Sequence, residues 1–231
     1  MKKIGTAVLL LILLLAVSVF ATNEYVTKDY NFQGFTGVSV ASGMKLDVKQ
    51  GGSFEVKVQT KENNFDRIRV EQRGNILEFS ILPFSNIHER VEISVTIPVL
   101  TFIELSGGSI ANIAINVPDK NFNAELSGGS SLTGNLQTQR LEIAASGGCR
   151  TEMTGRADSL KINASGGSRV KLDNFSVKVS RLDLSGGSMV DIYVTELMDI
   201  NASGGSRIFY KGNPRLGKTS FSGGAGVQSR N

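Results

Sequence analysis

Three arginines recur at one position of a repeated unit and could bind an anionic ligand. Each lies four residues after the serine of a Ser-Gly-Gly tripeptide; they are Arg150, Arg169 and Arg207. A guanidinium group presents a planar pair of donors that fits carboxylate or phosphate, so this stripe predicts contact with an acidic glycan or a phosphate group. Met189 interrupts the series. Residues of alternating charge lie two positions further on: Glu152, Lys171 and Asp191. A solvated charged face that discourages aggregation is therefore the alternative.

Carboxylates near the C-terminal repeats are the residues that acid–base catalysis or calcium binding would need. They are Asp173, Asp183, Asp191 and Asp199. Asp183 lies two residues before its Ser-Gly-Gly serine, whereas Asp199 lies four before. The repeat therefore does not stack these groups into one site, which mutual geometry requires. We interpret them as dispersed surface charges and predict no metal, no cofactor and no catalytic residue. A polysaccharide-active enzyme remains the alternative class.

The other reactive side chains also lack the partners that catalysis needs. Cys149 is the single cysteine and His88 the single histidine in 231 residues. Cys149 replaces a serine of the repeat and points inward by alternation, so it is predicted to be a buried structural thiol. His88 is predicted to lie on a loop or strand edge. The repeated serines have no neighbouring base to activate them, which argues against an enzyme.

The repeat dominates the chain. Ser-Gly-Gly begins at seven positions, spaced by 21, 19, 19, 20, 18 and 19 residues: Ser106, Ser127, Ser146, Ser165, Ser185, Ser203 and Ser222. Before and after each copy, apolar and polar residues alternate, as in Leu141, Ile143 and Ala145 before Ser146. This period of two predicts strands with one buried face. Each repeat is therefore interpreted as two short strands joined by a Gly-Gly corner, where glycine tolerates a positive φ or a close backbone approach.

Such short strands bury their apolar faces only when successive repeats stack. The sequence therefore predicts an all-β parallel β-helix with rungs of about 19 residues, and the usual crossover handedness favours a right-handed coil. Residues 22–99 lack the tripeptide but keep the alternation, with Ser42-Gly43 as a degenerate copy. We expect them to add rungs to the same solenoid, so that residues 22–231 form one domain, with the Ser-Gly-Gly repeats in residues 100–228.

The N-terminus has the layout of a secretory signal peptide. Lys2 and Lys3 precede an apolar run, and Val19-Phe20-Ala21 offers small residues for cleavage, so residues 1–21 are predicted to be removed. An uncleaved anchor is the alternative. Cleavage leaves 23 basic against 21 acidic residues, a net charge of +2 instead of +4. So small a charge gives no basis for nucleic-acid binding, and no further transmembrane segment is expected after the signal is removed.

The repeats resemble those of the autotransporter-adhesin head domain family, also called the head GIN domain. The Leu-Ser-Gly-Gly-Ser and Ala-Ser-Gly-Gly-Ser units carry the resemblance, together with the strand opening at Gly34-Phe35-Thr36-Gly37-Val38 and the Gln50-Gly51-Gly52 turn. It covers residues 30–228. The resemblance implies a parallel β-helix in an exported bacterial protein and a role in adhesion, and it brings no catalytic motif.

These observations predict an exported, non-enzymatic β-helix that presents a rigid surface in the periplasm, at the cell surface or outside the cell. A surface or extracellular glycan or protein is the expected partner. A passive envelope scaffold whose solenoids associate end to end is a further alternative, so oligomerisation is left open.

Overall fold

The alternating segments form strands that wind around one elongated core. The computed structural model describes residues 24–230. Of these residues 67% lie in strands, and they form a β-solenoid of about seven turns, with rungs of about 20 residues. This confirms the predicted fold class. The predicted signal peptide lies outside the described residues. Within residues 24–230, no helix is long and apolar enough to cross a membrane.

The described residues form sixteen strands and one short 3-10 helix, Glu62–Arg67. The strands before the long repeats are β1 (Tyr25–Tyr30), β2 (Gly37–Val40), β3 (Lys45–Gln50), β4 (Glu55–Lys61), β5 (Ile68–Arg73), β6 (Ile76–Ile81), β7 (Glu92–Ile97) and β8 (Phe102–Leu105). The remaining strands are β9 (Ile110–Leu126), β10 (Ser131–Ala145), β11 (Arg150–Ala164), β12 (Arg169–Leu184), β13 (Met189–Ala202), β14 (Arg207–Lys211), β15 (Arg215–Phe221) and β16 (Gly226–Ser229).

Each central repeat is one long strand, whereas the sequence predicted two short ones. Strands β9 to β13 contain 14 to 17 residues each and pair in parallel with the next rung. The burial alternation still breaks within each strand, once in most and twice in β12, as at the exposed pair Gln139 and Arg140 of β10. The strand continues through the place where it turns around the core, but there two consecutive side chains face outward instead of one.

The N-terminal strands join the same sheet with mixed directions. Strand β3 lies between β7 and β9 in parallel, and β2 lies between β6 and β8 in parallel. However, β4 pairs antiparallel with both β1 and β7, and β5 and β6 form an antiparallel hairpin. The hairpin turn is Gly74-Asn75, with Gly74 at a φ of 61°. Alternation predicted these strands but carries no information on their direction.

A column of small polar residues closes the Gly-Gly corners from inside. The residue after each glycine pair is buried in six copies: Ser109, Ser130, Cys149, Ser168, Ser188 and Ser206. Each donates a side-chain hydrogen bond to the carbonyl oxygen of the serine that opens its corner, at donor–acceptor distances of 2.6 to 3.0 Å. The predicted inward orientation of Cys149 is confirmed. The column thus satisfies polar groups that the turn would otherwise bury unpaired.

Only glycine suits the first position of the glycine pair in every corner. Its φ lies between 60° and 80° in all seven copies, a range that side chains other than glycine rarely adopt. A Cβ on Gly166 would also lie 2.7 Å from the carbonyl oxygen of Gly147, because the corners stack. The Gly167 amide donates to that same oxygen at 2.8 Å. The glycine pairs therefore allow the rungs to approach closely enough for their corners to hydrogen-bond.

Replacing Ser42 by glycine is expected to stabilise the protein. Ser42 has a φ of 66° and stacks on Gly107, the first glycine of the next corner. Relief of this strain outweighs the entropy that glycine adds to the unfolded chain, for a net gain of about 0.5–1 kcal/mol. Urea unfolding of Ser42→Gly measures it. Ser53→Gly is the matched control, since Ser53 is exposed without a positive φ. An unchanged or lower stability of Ser42→Gly would contradict the strain argument.

Candidate functional site

A groove runs along the solenoid beside the Gly-Gly corners. Its volume is about 550 Å³. Six successive rungs line it, from Glu104 in β8 to Ser203 directly after β13. At a rung separation of ~4.8 Å, these rungs extend over roughly 24 Å. The groove is therefore long and narrow, the shape that an extended chain would occupy.

Two columns of side chains form the groove. One consists of the corner serines Ser127, Ser146, Ser165, Ser185 and Ser203. The other lies two residues before each corner serine and consists of Glu104, Glu125, Ala144, Asn163, Asp183 and Asn201. Successive members of this second column are register partners on neighbouring strands. The glycines that follow the serines have no side chains, and the short side chain of Ala144 keeps the middle of the groove open.

The groove offers hydrogen-bonding groups that the protein itself does not use. Within residues 24–230, no side-chain hydrogen bond engages the hydroxyl groups of Ser127, Ser146, Ser165 or Ser185, or the amide of Asn163. The Ser203 hydroxyl donates to the Leu184 carbonyl at 3.4 Å. A hydroxyl both donates and accepts. The serine column therefore presents the same free group at successive rungs.

The charges of the groove are acidic. Its lining includes Glu104, Glu125 and Asp183 but no lysine or arginine. Glu104 accepts a 2.9 Å hydrogen bond from the Ser39 hydroxyl. Asp183 accepts from Arg181 at 3.0 Å and from the Asn201 amide at 3.3 Å. Glu125 has no ion pair within the described part of the chain. The electrostatic field of the groove therefore disfavours anionic ligands.

The predicted arginine stripe lies on a different face. Arg150 and Arg169 are direct register partners, and Met189 lies between Arg169 and Arg207. The structure therefore brings together two of the three arginines. They border a depression of about 230 Å³ together with Glu152 and Lys171. All three arginines are exposed, as alternation predicted, and anion binding there stays a prediction.

Neighbouring acidic residues partly neutralise this face. Lys171 donates to Glu152 at 2.6 Å, and this hydrogen bond raises the pKa of Lys171 above its ordinary value. The guanidinium of Arg169 lies 3.9 Å from the Asp191 carboxylate, which Arg230 also contacts at 2.7 Å. Arg230 additionally covers the ring of Phe209, 3.5 Å from its centroid. Much of the charge on this face therefore has an intramolecular partner.

The carboxylates that were interpreted as dispersed have separate partners. Asp173 pairs with Lys211 at 3.2 Å, Asp191 pairs with Arg230, and Asp199 accepts from the Lys218 backbone amide at 2.8 Å. Among residues 24–230, no group of three or more His, Cys, Asp or Glu side chains is placed to hold a metal ion. His88 is exposed in the segment between β6 and β7.

Sequence reasoning missed the groove, although one signal for it was present. The position two residues before each corner serine carries Glu104, Glu125, Asn163, Asp183 or Asn201 in five repeats. Side chains of this position can only point outward, and glutamate, asparagine and aspartate all form hydrogen bonds. Reading this column together with the corner serines would have located the wall of hydrogen-bonding groups. The concavity itself depends on how the corner bends.

Solved structures with the same fold extend over nearly the whole chain. A putative adhesin from Bacteroides fragilis NCTC 9343 superposes with a TM-score of 0.82 at 19% identity, covering 90% of this chain and 98% of that one. A putative adhesin from Parabacteroides merdae ATCC 43184 gives 0.72 at 16% identity, with 91% and 98% covered. A putative lipid binding protein from Parabacteroides distasonis ATCC 8503 gives 0.72 at 15% identity, with 91% and 98% covered. At such identities the likeness concerns the fold.

A comparison with curated proteins found no match. The sequence model of one family, described as "Putative auto-transporter adhesin, head GIN domain", matches residues 34–214. The match covers well over half of the chain and confirms the resemblance that the Ser-Gly-Gly units carry. The protein therefore belongs to the head GIN domain family of putative auto-transporter adhesins.

Proposed function

We propose that the protein is an exported, non-enzymatic adhesin module that binds a surface ligand through the groove beside its Gly-Gly corners. The family and its solved structural neighbours carry the description putative adhesin, which supports a binding role. The observation that carries the proposal is the serine column, whose free hydroxyl groups line one groove over several rungs. Polar groups held without intramolecular partners on a rigid scaffold are suited to recognition.

The arrangement of the carboxylates favours binding over catalysis. Glycoside hydrolysis uses two carboxyl groups on opposite sides of the scissile bond. Here Glu104, Glu125 and Asp183 belong to one column and follow one another along the groove. Asp183 is also engaged by Arg181 and Asn201. A polysaccharide-active enzyme would need a facing pair, so the non-enzymatic role is the better fit to these positions.

Filling the groove is expected to weaken surface binding strongly. Ala144 is exposed on the groove floor, and isoleucine there occupies the space while suiting a strand. Labelled Ala144→Ile protein is expected to bind native cell surfaces at least about tenfold more weakly than wild type. Ala114→Ile is the matched control, because Ala114 is an exposed alanine of β9 outside the groove.

Two results would contradict this function. One is equal surface binding by wild type and Ala144→Ile, which would remove the groove from adhesion. The other is confinement of the native protein to the periplasm in fractionation and protease-accessibility experiments, which would leave no surface role. Release of new chain ends from a polysaccharide by the purified protein would instead support the enzyme alternative.

A further inference from the structure

We infer that the groove selects an uncharged, linear polysaccharide that lies along the solenoid axis. This inference rests on the proposed function, since it names the ligand of the same groove. It is carried by three features: the repetition of the polar groups, the use of the backbone donors within the fold, and the sign of the charges.

The polar groups repeat with the rungs, as a polymer's groups repeat with its units. Ser127, Ser146, Ser165 and Ser185 present hydroxyl groups at successive rungs, ~4.8 Å apart. Each can donate to one ligand hydroxyl and accept from another. A linear polysaccharide offers hydroxyl groups at regular intervals over the whole length of the groove. A compact ligand would contact only one or two rungs.

The backbone of the groove is not open to an extended peptide. The amide of Ser127 donates to the Leu105 carbonyl, that of Ser146 to Leu126, and that of Ser165 to Ala145, each at 2.9 Å. Strand addition depends on unpaired main-chain donors and acceptors. Here these donors already join one rung to the next. Recognition must therefore proceed through side-chain hydroxyl, amide and carboxylate groups, which suits a ligand rich in hydroxyl groups.

The charges exclude acidic polysaccharides. No lysine or arginine lines the groove, and the carboxylate of Glu125 has no cationic partner within residues 24–230. An anionic chain would place its carboxylates or sulfates against Glu104 and Glu125 of neighbouring rungs. An uncharged chain can instead donate its hydroxyl groups to these carboxylates. The groove thus differs from the arginine stripe on the other face in the ligand that it admits.

The affinity is expected to depend strongly on chain length. The lining contains no aromatic ring on which a sugar could stack, so each sugar gains only hydrogen bonds and aliphatic contact. Single exposed hydrogen bonds contribute little net free energy because they replace bonds to water. Several bonds formed by one chain add within a single binding event, since the chain pays its association cost once.

Calorimetric titration with size-graded oligosaccharides tests this inference. The uncharged probes are cellulose, xylan, mannan and laminarin fragments from disaccharides to octasaccharides, and the acidic probes are oligogalacturonates of the same lengths. At least one uncharged series is expected to bind, with affinity rising at least about tenfold from the disaccharide to the hexasaccharide. Oligogalacturonates are expected to bind at least about tenfold more weakly at low salt, and the difference is expected to shrink at high salt.

Two groove variants and one control variant make the result specific to the groove. Ala144→Ile is expected to lose the uncharged series, whereas Ala114→Ile keeps it. Glu125→Gln retains the shape of the side chain but removes its charge, so it is expected to raise oligogalacturonate affinity and to weaken the uncharged series slightly, which narrows the difference between the two.

The inference is overturned if no uncharged series binds, if oligogalacturonates bind as tightly as uncharged chains, or if Ala144→Ile binds like wild type. Surface binding that still depends on Ala144 in the cell assay would then leave the proposed function standing with another ligand. Absence of any surface binding would contradict the function itself.

Discussion

Gly155→Ala is expected to destabilise the solenoid by more than about 3 kcal/mol. Gly155 lies within β11 at a φ of 127°, where a side chain is strained. A Cβ there would lie 1.9 Å from the carbonyl oxygen of Leu136 on the neighbouring rung. That oxygen belongs to the backbone ladder and cannot move away as a flexible side chain would. The rungs must separate locally, so hydrogen bonds and core contacts are lost together.

Urea unfolding monitored by circular dichroism measures this effect. Gly148→Ala is the matched control, because Gly148 belongs to a corner yet has no atom within 4 Å of the added Cβ and no positive φ. Its free energy of unfolding is expected to lie within about 0.5 kcal/mol of wild type. If Gly155→Ala were as stable as Gly148→Ala, the packing of β11 against β10 would not be as described.

Phe175→Ala is the second substitution with a large expected effect, a loss of about 3–5 kcal/mol. Phe175 is completely buried in β12 and is the register partner of Gly155 on the rung below. The ring fills core space at the place where the neighbouring strand has no side chain. Alanine would leave a cavity there, because the ladder that pairs Phe175 with β11 limits how far the backbone can collapse into it.

The same unfolding experiment compares Phe175→Ala with Val179→Ala. Val179 is on the same strand but is 37% exposed, so its truncation is expected to cost less than about 1 kcal/mol. Native-state hydrogen exchange would locate the loss: in a solenoid each rung contacts its neighbours, so protection is expected to fall first in β11 to β13. Equal stabilities of the two variants would show that the ring does not support the core.

Much of the solenoid could be predicted because its determinants are local. The alternation around Ser146 placed Leu141, Ile143 and Ala145 inside, and all three are buried. The Ser-Gly-Gly spacing predicted that rungs stack in register, which places Arg150 directly beside Arg169. Even the degenerate copy at Ser42-Gly43 forms a corner, with Ser42 in the conformation that glycine adopts elsewhere.

What could not be predicted depends on contacts between distant segments. The alternation in β4 is as clear as in β3, yet β4 runs antiparallel to its neighbours and β3 parallel to its own. The direction of each strand depends on how its connecting turns pack against the core. The groove likewise requires the corner geometry, the short side chain of Ala144 and the free state of the serine hydroxyls at once. Their combination is not visible in a single repeat.

The repeated corner also sets how the protein can change in length. Ser146 and Ser165 open successive corners, and the rungs between them begin and end at equivalent positions. A gene segment encoding one such unit can therefore be duplicated or deleted with both junctions already complementary. Each event alters the reach of the molecule by one strand spacing, ~4.8 Å, and the number of groove positions by one. The length of the solenoid and the number of ligand-binding positions in its groove therefore change together, by one repeat at a time.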